Sequence, residues 1–327
     1  MTEQIGRVMR SFESKQAGTT GEIVYTGREH VNSVIKTQFV DEEYAGWQKI
    51  KDYLSVLPTK RIDIDGRPSL IVRYCPSETV NDLTNQNDKK AVESFDAFFG
   101  DLVSMWEKTA IPFESEKLIR NYAEIALRVM PKFRQAAEER LGVSGAIPIV
   151  TGGVDIGSLD EFFDIQERGF AIEPPQLVLS HGDENLGNIL VPKDPESGAY
   201  KVIDARFAGY YDLAWVLGNI FARTYLFNAD FPGVIGSPNV EDEKAEFASA
   251  LPRQTETTEA IKQRVLDYLK EHEEDDPTLK LRTAAYVANN IGRSIAFLRD
   301  KSFTTVCEEY GVQHLLTAMY EAKQILG

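Results

Sequence analysis

The chain has 327 residues, 43% of them hydrophobic, enough to bury one large core or two smaller ones. Its 36 Lys and Arg against 51 Asp and Glu leave a formal charge of −15, which argues against nucleic acid or an anionic membrane surface as partner, since both reward basic patches. No apolar run is long enough to span a bilayer, the opening Met1-Thr2-Glu3-Gln4 lacks a signal pattern, and Cys75 and Cys307 have no metal-ligand spacing. A cytoplasmic protein without a disulfide framework is expected.

Residues up to about Cys75 read as short strands with one helix. Val8–Glu13, Ile23–Tyr25 and Val31–Phe39 suit strands, and Lys15–Glu22, with Gly18, Thr19 and Thr20, is a small-residue turn between the first two. Asp41-Glu42-Glu43 opens an amphipathic helix through Trp47, Ile50 and Leu54. Arg61–Ile64 and Ser69–Tyr74 flank a Gly/Pro turn and predict a hairpin, which ends at Tyr74-Cys75-Pro76.

From Asp88 the periodicity turns helical, with Val92, Phe95, Phe99, Leu102 and Trp106 on one buried face. A second helix is predicted over 116–141, kinked at Pro131. Gly142–Gly157 reads as a loop, and Ser158 followed by acidic residues as a helix start. Further helices are expected after Asp212 and over 259–272, 279–298 and 310–326, with a Gly/Pro-rich loop over 231–239. No repeat is visible, and the change of character near residue 75 marks two lobes, 1–75 and 76–327, of one catalytic unit.

The chemistry concentrates in Leu179-Ser180-His181-Gly182-Asp183-Glu184-Asn185-Leu186-Gly187-Asn188-Ile189-Leu190, answered by Val202-Ile203-Asp204. Two short strands, 188–191 and 200–203, around an Asp-Pro turn would carry Asn188 and Asp204 to one edge. An Asp, an Asn five residues on, and a second Asp closing the next apolar run suit phosphoryl transfer from a nucleoside triphosphate. One carboxylate orients and deprotonates the attacking hydroxyl, while an amide oxygen and the other carboxylate hold magnesium. A metallophosphoesterase would want several imidazole ligands, and the four His (His30, His181, His272, His314) are scattered.

His-x-Asp-x-x-x-x-Asn followed by Ile-Asp resembles the catalytic core of the aminoglycoside phosphotransferase and choline kinase group, small-molecule kinases with the protein-kinase-like fold. Tyr211-Asp212-Leu213-Ala214 resembles the segment that opens the next helix there, although the seven residues between Asp204 and Asp212 make a shorter link than is usual. The resemblance implies an α+β, bilobal fold: a small antiparallel sheet with one helix, then a larger, mainly helical lobe. It implies Asp183 as the base, Asn188 and Asp204 as Mg2+ ligands, and His181 and Asp212 as structural supports. Val34-Ile35-Lys36 resembles the strand whose lysine holds the α- and β-phosphates, with Glu43, or Glu42 beside it, as its partner. The Gly18-Thr19-Thr20 turn would lie over the phosphates, and Tyr74-Cys75 would meet the base at the hinge.

The implied activity moves the γ-phosphoryl of ATP or GTP to a hydroxyl of a small molecule, for which the acidic balance favours a cationic acceptor of aminoglycoside, choline or homoserine type. Two alternatives are a catalytically silent nucleotide-binding member and a protein kinase. Against the latter, no Asp-Phe-Gly or Ala-Pro-Glu segment occurs.

Overall fold

The computed structural model describes residues 9–11, 22–24, 33–64, 66–73, 75–228, 238–241, 244–248, 251–293 and 306–327. In chain order the strands and helices begin with β1 (Met9–Ser11), β2 (Glu22–Val24), β3 (Ser33–Lys36), α1 (Val40–Ile50), β4 (Thr59–Ile64), β5 (Arg67–Arg73), β6 (Ser77–Thr79), α2 (Val80–Asn85) and α3 (Lys90–Thr109). There follow β7 (Ile111–Pro112), α4 (Tyr122–Leu141), β8 (Ile149–Thr151), β9 (Val154–Gly157), α5 (Leu159–Phe170), β10 (Gln176–Ser180), β11 (Ile189–Pro192) and β12 (Lys201–Val202). The chain continues through β13 (Gly209–Asp212), α6 (Leu213–Asn228), β14 (Asn239–Glu241), β15 (Lys244–Phe247), α7 (Glu256–Glu271), α8 (Leu279–Gly292) and α9 (Val306–Leu326).

The fold is α+β. Met1–Ala110 with Val178–Tyr210 form one compact unit, and Ile111–Leu177 with Tyr211–Gly327 form a second. The change of character near residue 75 therefore lies inside the first unit, which also holds α2, α3 and the β11–β12 hairpin.

In the first unit β1-β2-β3-β5-β4 make an antiparallel five-stranded sheet. Strand alternation in β5 buries Leu70 and Val72, which pack with Val40 of α1 and with Leu57. Tyr44, Cys75, Leu190 and Ile203 pack against this cluster, so strands 189–192 and 201–202 are anchored to the same core. β6 pairs with β11, and β11 with β12. Thr79 and Asp82 form a capping box that starts α2, a helix the apolar periodicity did not announce because it is only six residues long.

The second unit is mainly helical: α8 packs on α5, α6 and α9 through a continuous apolar face. The helix expected over 116–141 starts later, at Tyr122, because Asn121 caps it through the Glu124 N–H (3.1 Å), and Ser115–Lys117 form a 3-10 turn instead. Pro131 lies inside this one helix. The predicted loop 142–157 contains a β8–β9 hairpin, turned by Gly152 and Gly153, both at positive φ (56° and 79°), the pairing a two-residue hairpin turn demands. Ser158 and Glu161 make the capping box of α5.

Candidate active site

α1 begins after Phe39, which takes a left-handed backbone conformation (φ 54°). That entry presents Glu43, one turn into the helix and only 7% exposed, to the end of β3. Lys36 Nζ donates to Glu43 Oε1 (2.7 Å) and Oε2 (3.0 Å). The sequence left Glu42 and Glu43 both in play, and the bond goes to Glu43.

The loop after β10 turns at Gly182 (φ 83°) and is fixed by hydrogen bonds. His181, 1% exposed, donates from Nε2 to the Ile203 carbonyl (2.9 Å), and its Nδ1 accepts from the Asp183 N–H (3.4 Å). The imidazole thus ties the loop to the residue before Asp204. Asn188 Nδ2 donates to the Asp183 carbonyl (3.0 Å) and to Asp183 Oδ2 (3.1 Å). With the amide nitrogen committed in this way, Asn188 presents Oδ1 as a hard oxygen donor. The Ile203 N–H donates to the Asn188 carbonyl (3.1 Å), and Ile189 faces Val202 in the register, so Asn188 and Asp204 end adjacent strands.

Asp204 itself is left-handed (φ 60°, ψ 54°), a conformation Asp and Asn tolerate better than other side-chain-bearing residues. Arg206 Nε lies 3.6 Å from its Oδ1, and the guanidinium rests over the rings of Phe39 (5.0 Å) and Phe207 (4.6 Å). The turn that follows Asp204 is wedged against α1: Lys49 Nζ donates to the Ala208 carbonyl (3.0 Å), and a Cβ on Gly46 would stand 1.8 Å from the Ala205 oxygen. The helix that bears Glu43 and the turn that bears Asp204 are consequently one packed piece.

Lys36, Glu43, Asp204 and Cys75 line a common cavity of about 270 Å³, otherwise walled by apolar residues such as Val72 and Leu190. Asp183 and Asn188 are outside its lining. Ser77 Oγ donates to the Cys75 carbonyl (3.0 Å). Gly18, Thr19, Thr20 and Tyr74, and the stretch 231–237, lie outside the described residues.

No family model matches the sequence, and no curated protein is similar to it at the sequence level. Solved structures are similar in fold. The apo form of a thermostable mutant of aminoglycoside phosphotransferase APH(4)-Ia gives a TM-score of 0.54 at 12% identity, over 96% of this chain and 94% of that one. A ternary complex of another such mutant with ADP and hygromycin B gives 0.53 at 13% identity, over 96% and 93%. A choline/ethanolamine kinase family protein from Mesorhizobium loti gives 0.52 at 11% identity, over 98% and 89%. The fold is that of the aminoglycoside phosphotransferases and choline kinases.

On this phosphotransferase fold one loop residue escaped the sequence reading. Glu184 is 1% exposed; its Oε1 accepts from Ser180 Oγ (2.5 Å) and from the Gly182 N–H (2.8 Å). Acidic residues are normally solvated, and only the polar Ser180 four positions earlier hinted at an internal partner. Asp212 belongs to the second unit, where its Oδ1 accepts from the Ala214 N–H (2.9 Å) and from Arg282, itself 1% exposed. Burial pushes the Asp212 carboxyl above its ordinary range, and the Arg282 guanidinium offsets this only in part. Arg282 also donates to Asp276 and, through Nε, to Thr278 Oγ1 (3.2 Å). Among the described residues no three His, Cys, Asp or Glu gather into a metal cluster, and no helix is long and apolar enough to cross a membrane.

Proposed function

We propose that this protein transfers the γ-phosphoryl group of ATP or GTP to a hydroxyl group of a small molecule. The supporting observation is the cavity that Lys36, Glu43 and Asp204 line together, because it joins a fixed ammonium and a carboxylate across an apolar slot. The similar fold of a phosphotransferase crystallised with ADP and hygromycin B supports a nucleotide and a small hydroxylated partner.

In this reading Lys36, held by Glu43, neutralises the α- and β-phosphates. The Asp183 carboxylate accepts the proton of the attacking hydroxyl while the new O–P bond forms. The β–γ bridging bond breaks, and the nucleoside diphosphate leaves with its electron pair. Asn188 keeps Asp183 oriented. The donor set suits Mg2+: Asn188 Oδ1 and the Asp204 carboxylate are hard oxygens on adjacent strand ends, and they would hold the ion. Held there, the ion would offset the negative charge of the transferring phosphates. His181 braces the loop and Asp212 anchors the start of α6. The resemblance assigns Tyr74 and Cys75 to the base, and Gly18, Thr19 and Thr20 to the phosphates.

A nucleotide-consumption assay across hydroxylated metabolites and antibiotics, with ATP and separately with GTP and with a peptide array beside it, tests the proposal. Turnover dependent on a small acceptor supports it. Turnover on peptides alone, or magnesium–nucleotide binding with no turnover on any acceptor, overturns it.

A further inference from the structure

Asp204 has a cation of its own. Among the described residues its one ion-pair partner is Arg206, two positions on in the same turn, with Nε 3.6 Å from Oδ1. That separation is too long for a hydrogen bond, whereas a locked guanidinium–carboxylate pair closes to about 2.7–2.9 Å. Nε is shut off from solvent and has no hydrogen-bond partner among the described residues. The contact therefore brings charge to Asp204 without a directional bond to fix it.

What seats the guanidinium is a pair of aromatic faces. It lies 5.0 Å from the centre of the Phe39 ring, at the entry to α1, and 4.6 Å from that of Phe207, in the turn after Asp204. The two phenylalanines are 55% and 41% exposed, although a phenyl ring is ordinarily buried. Phe39 also takes the left-handed backbone conformation (φ 54°), which is sterically costly for a bulky residue. Both costs fall on the residue that supports the guanidinium from the α1 side. Ring faces attract a cation while leaving its N–H groups uncommitted. They hold the Arg206 charge beside Asp204 and leave it displaceable.

This inference rests on the phosphotransfer reading, in which the Asp204 carboxylate is also offered to Mg2+. A dication and a guanidinium that share one carboxylate repel each other, and the guanidinium, with no hydrogen bond to Asp204, is the one that yields. We propose that Arg206 is the resident counter-ion of Asp204 and competes with magnesium for its carboxylate, so that it sets the magnesium concentration the site requires. Arg206 is then a positioning residue that acts through Asp204, whose side chain is only 16% exposed. A merely structural tie between two phenylalanines would change stability and leave the magnesium requirement where it was.

The full-length protein is titrated calorimetrically with the non-hydrolysable imido analogues of ATP and GTP over a series of Mg2+ concentrations, including none. The variants are Arg206→Met and Arg206→Gln, which remove the charge, and Arg206→Lys, which keeps it. The magnesium concentration that gives half the maximal gain in analogue affinity should fall about tenfold in the two neutral variants, a modest share of what one unit charge exerts over a few ångströms. Arg206→Lys should restore the parent value. The Arg206 side chain is 27% exposed, and with two neutral variants the test survives the failure of either to fold. An unchanged or raised magnesium requirement in the neutral variants, or an equal fall in Arg206→Lys, would overturn the inference alone, since magnesium-dependent binding by the parent keeps the phosphotransfer reading. A parent that binds neither analogue with magnesium would remove that reading and this inference together.

Discussion

Gly46 is the position where a single methyl group should do the most. One turn on from Glu43, it faces the turn after Asp204, where an added Cβ would lie 1.8 Å from the Ala205 oxygen and 3.4 Å from the Ala208 Cβ. Real Cβ contacts do not fall below 3.0 Å, so Gly46→Ala forces α1 or the turn to retreat by at least 1.2 Å. Neither is a flexible side-chain tip. Ala at a helix interior gains about 1 kcal/mol over Gly, whereas overpacking against fixed backbone costs about 1–3 kcal/mol, with the Lys49–Ala208 hydrogen bond weakened besides. A net loss of about 2 kcal/mol should lower the unfolding midpoint of a 327-residue chain by about 3 °C. The same retreat separates Glu43 from the Asp204 side of the cavity, and a displacement of this size costs about 100-fold in a positioned reaction. Scanning calorimetry and kcat/KM on the proposed reaction check both numbers. A midpoint equal to or above that of the parent would refute the reasoning, for it would mean helix propensity governs the site and the close approach does not.

Other substitutions separate the roles of neighbouring groups. Lys36→Ala leaves the buried Glu43 without its partner, so about 1–3 kcal/mol of stability should go, and the KM for nucleotide should rise more than that for acceptor. Asp183→Asn preserves the shape of the Asn188 contact but removes the base, cutting kcat by about 10²–10⁴-fold with magnesium–nucleotide binding intact. Asp204→Asn keeps a residue tolerant of the left-handed backbone, so the fold should survive while magnesium-dependent nucleotide affinity falls in calorimetry; the reverse pattern would exchange the two assignments. Burial lowers the His314 pKa from 6.5 to about 4. Between these values the unfolded chain binds more protons than the native one, so His314 makes stability fall as pH drops from 6.5 towards 4, by up to about 3 kcal/mol. Urea unfolding of parent and His314→Leu at pH 7, 5.5 and 4.5 should show the shallower slope in the variant.

The parts of the site legible in the sequence are those whose geometry follows from spacing within a few residues. Asp183 and Asn188 share one loop; Asn188 and Asp204 terminate a hairpin whose turn residues are plain; Lys36 and Glu43 are joined by the short step from strand to helix. What the sequence could not reveal depends on packing between distant segments. Nothing near Gly46 points to Ala205, and nothing near Asp212 points to Arg282. The start of α4 moved because Asn121 captures a backbone N–H, and Thr79 starts the unexpected α2 in the same way, because apolar periodicity is silent about caps. The β8–β9 hairpin was hidden because two adjacent glycines fit a loop as readily as a tight turn.

The first unit is built from two stretches of chain, Met1–Ala110 and Val178–Tyr210. During synthesis it has to wait. Strands β3, β4 and β5 emerge early, but Leu190 and Ile203, which pack on their core, and β11, which pairs with β6, appear only after the intervening 111–177 segment. At about 5–20 residues per second the core of the nascent sheet stays partly uncovered for several seconds or more after its last strand has left the ribosome. A fragment ending near residue 110 would carry Leu57, Val80 and Phe98 with part of their cover missing, so truncation at the apparent end of the strand-rich region should yield an aggregating product rather than a nucleotide-binding module.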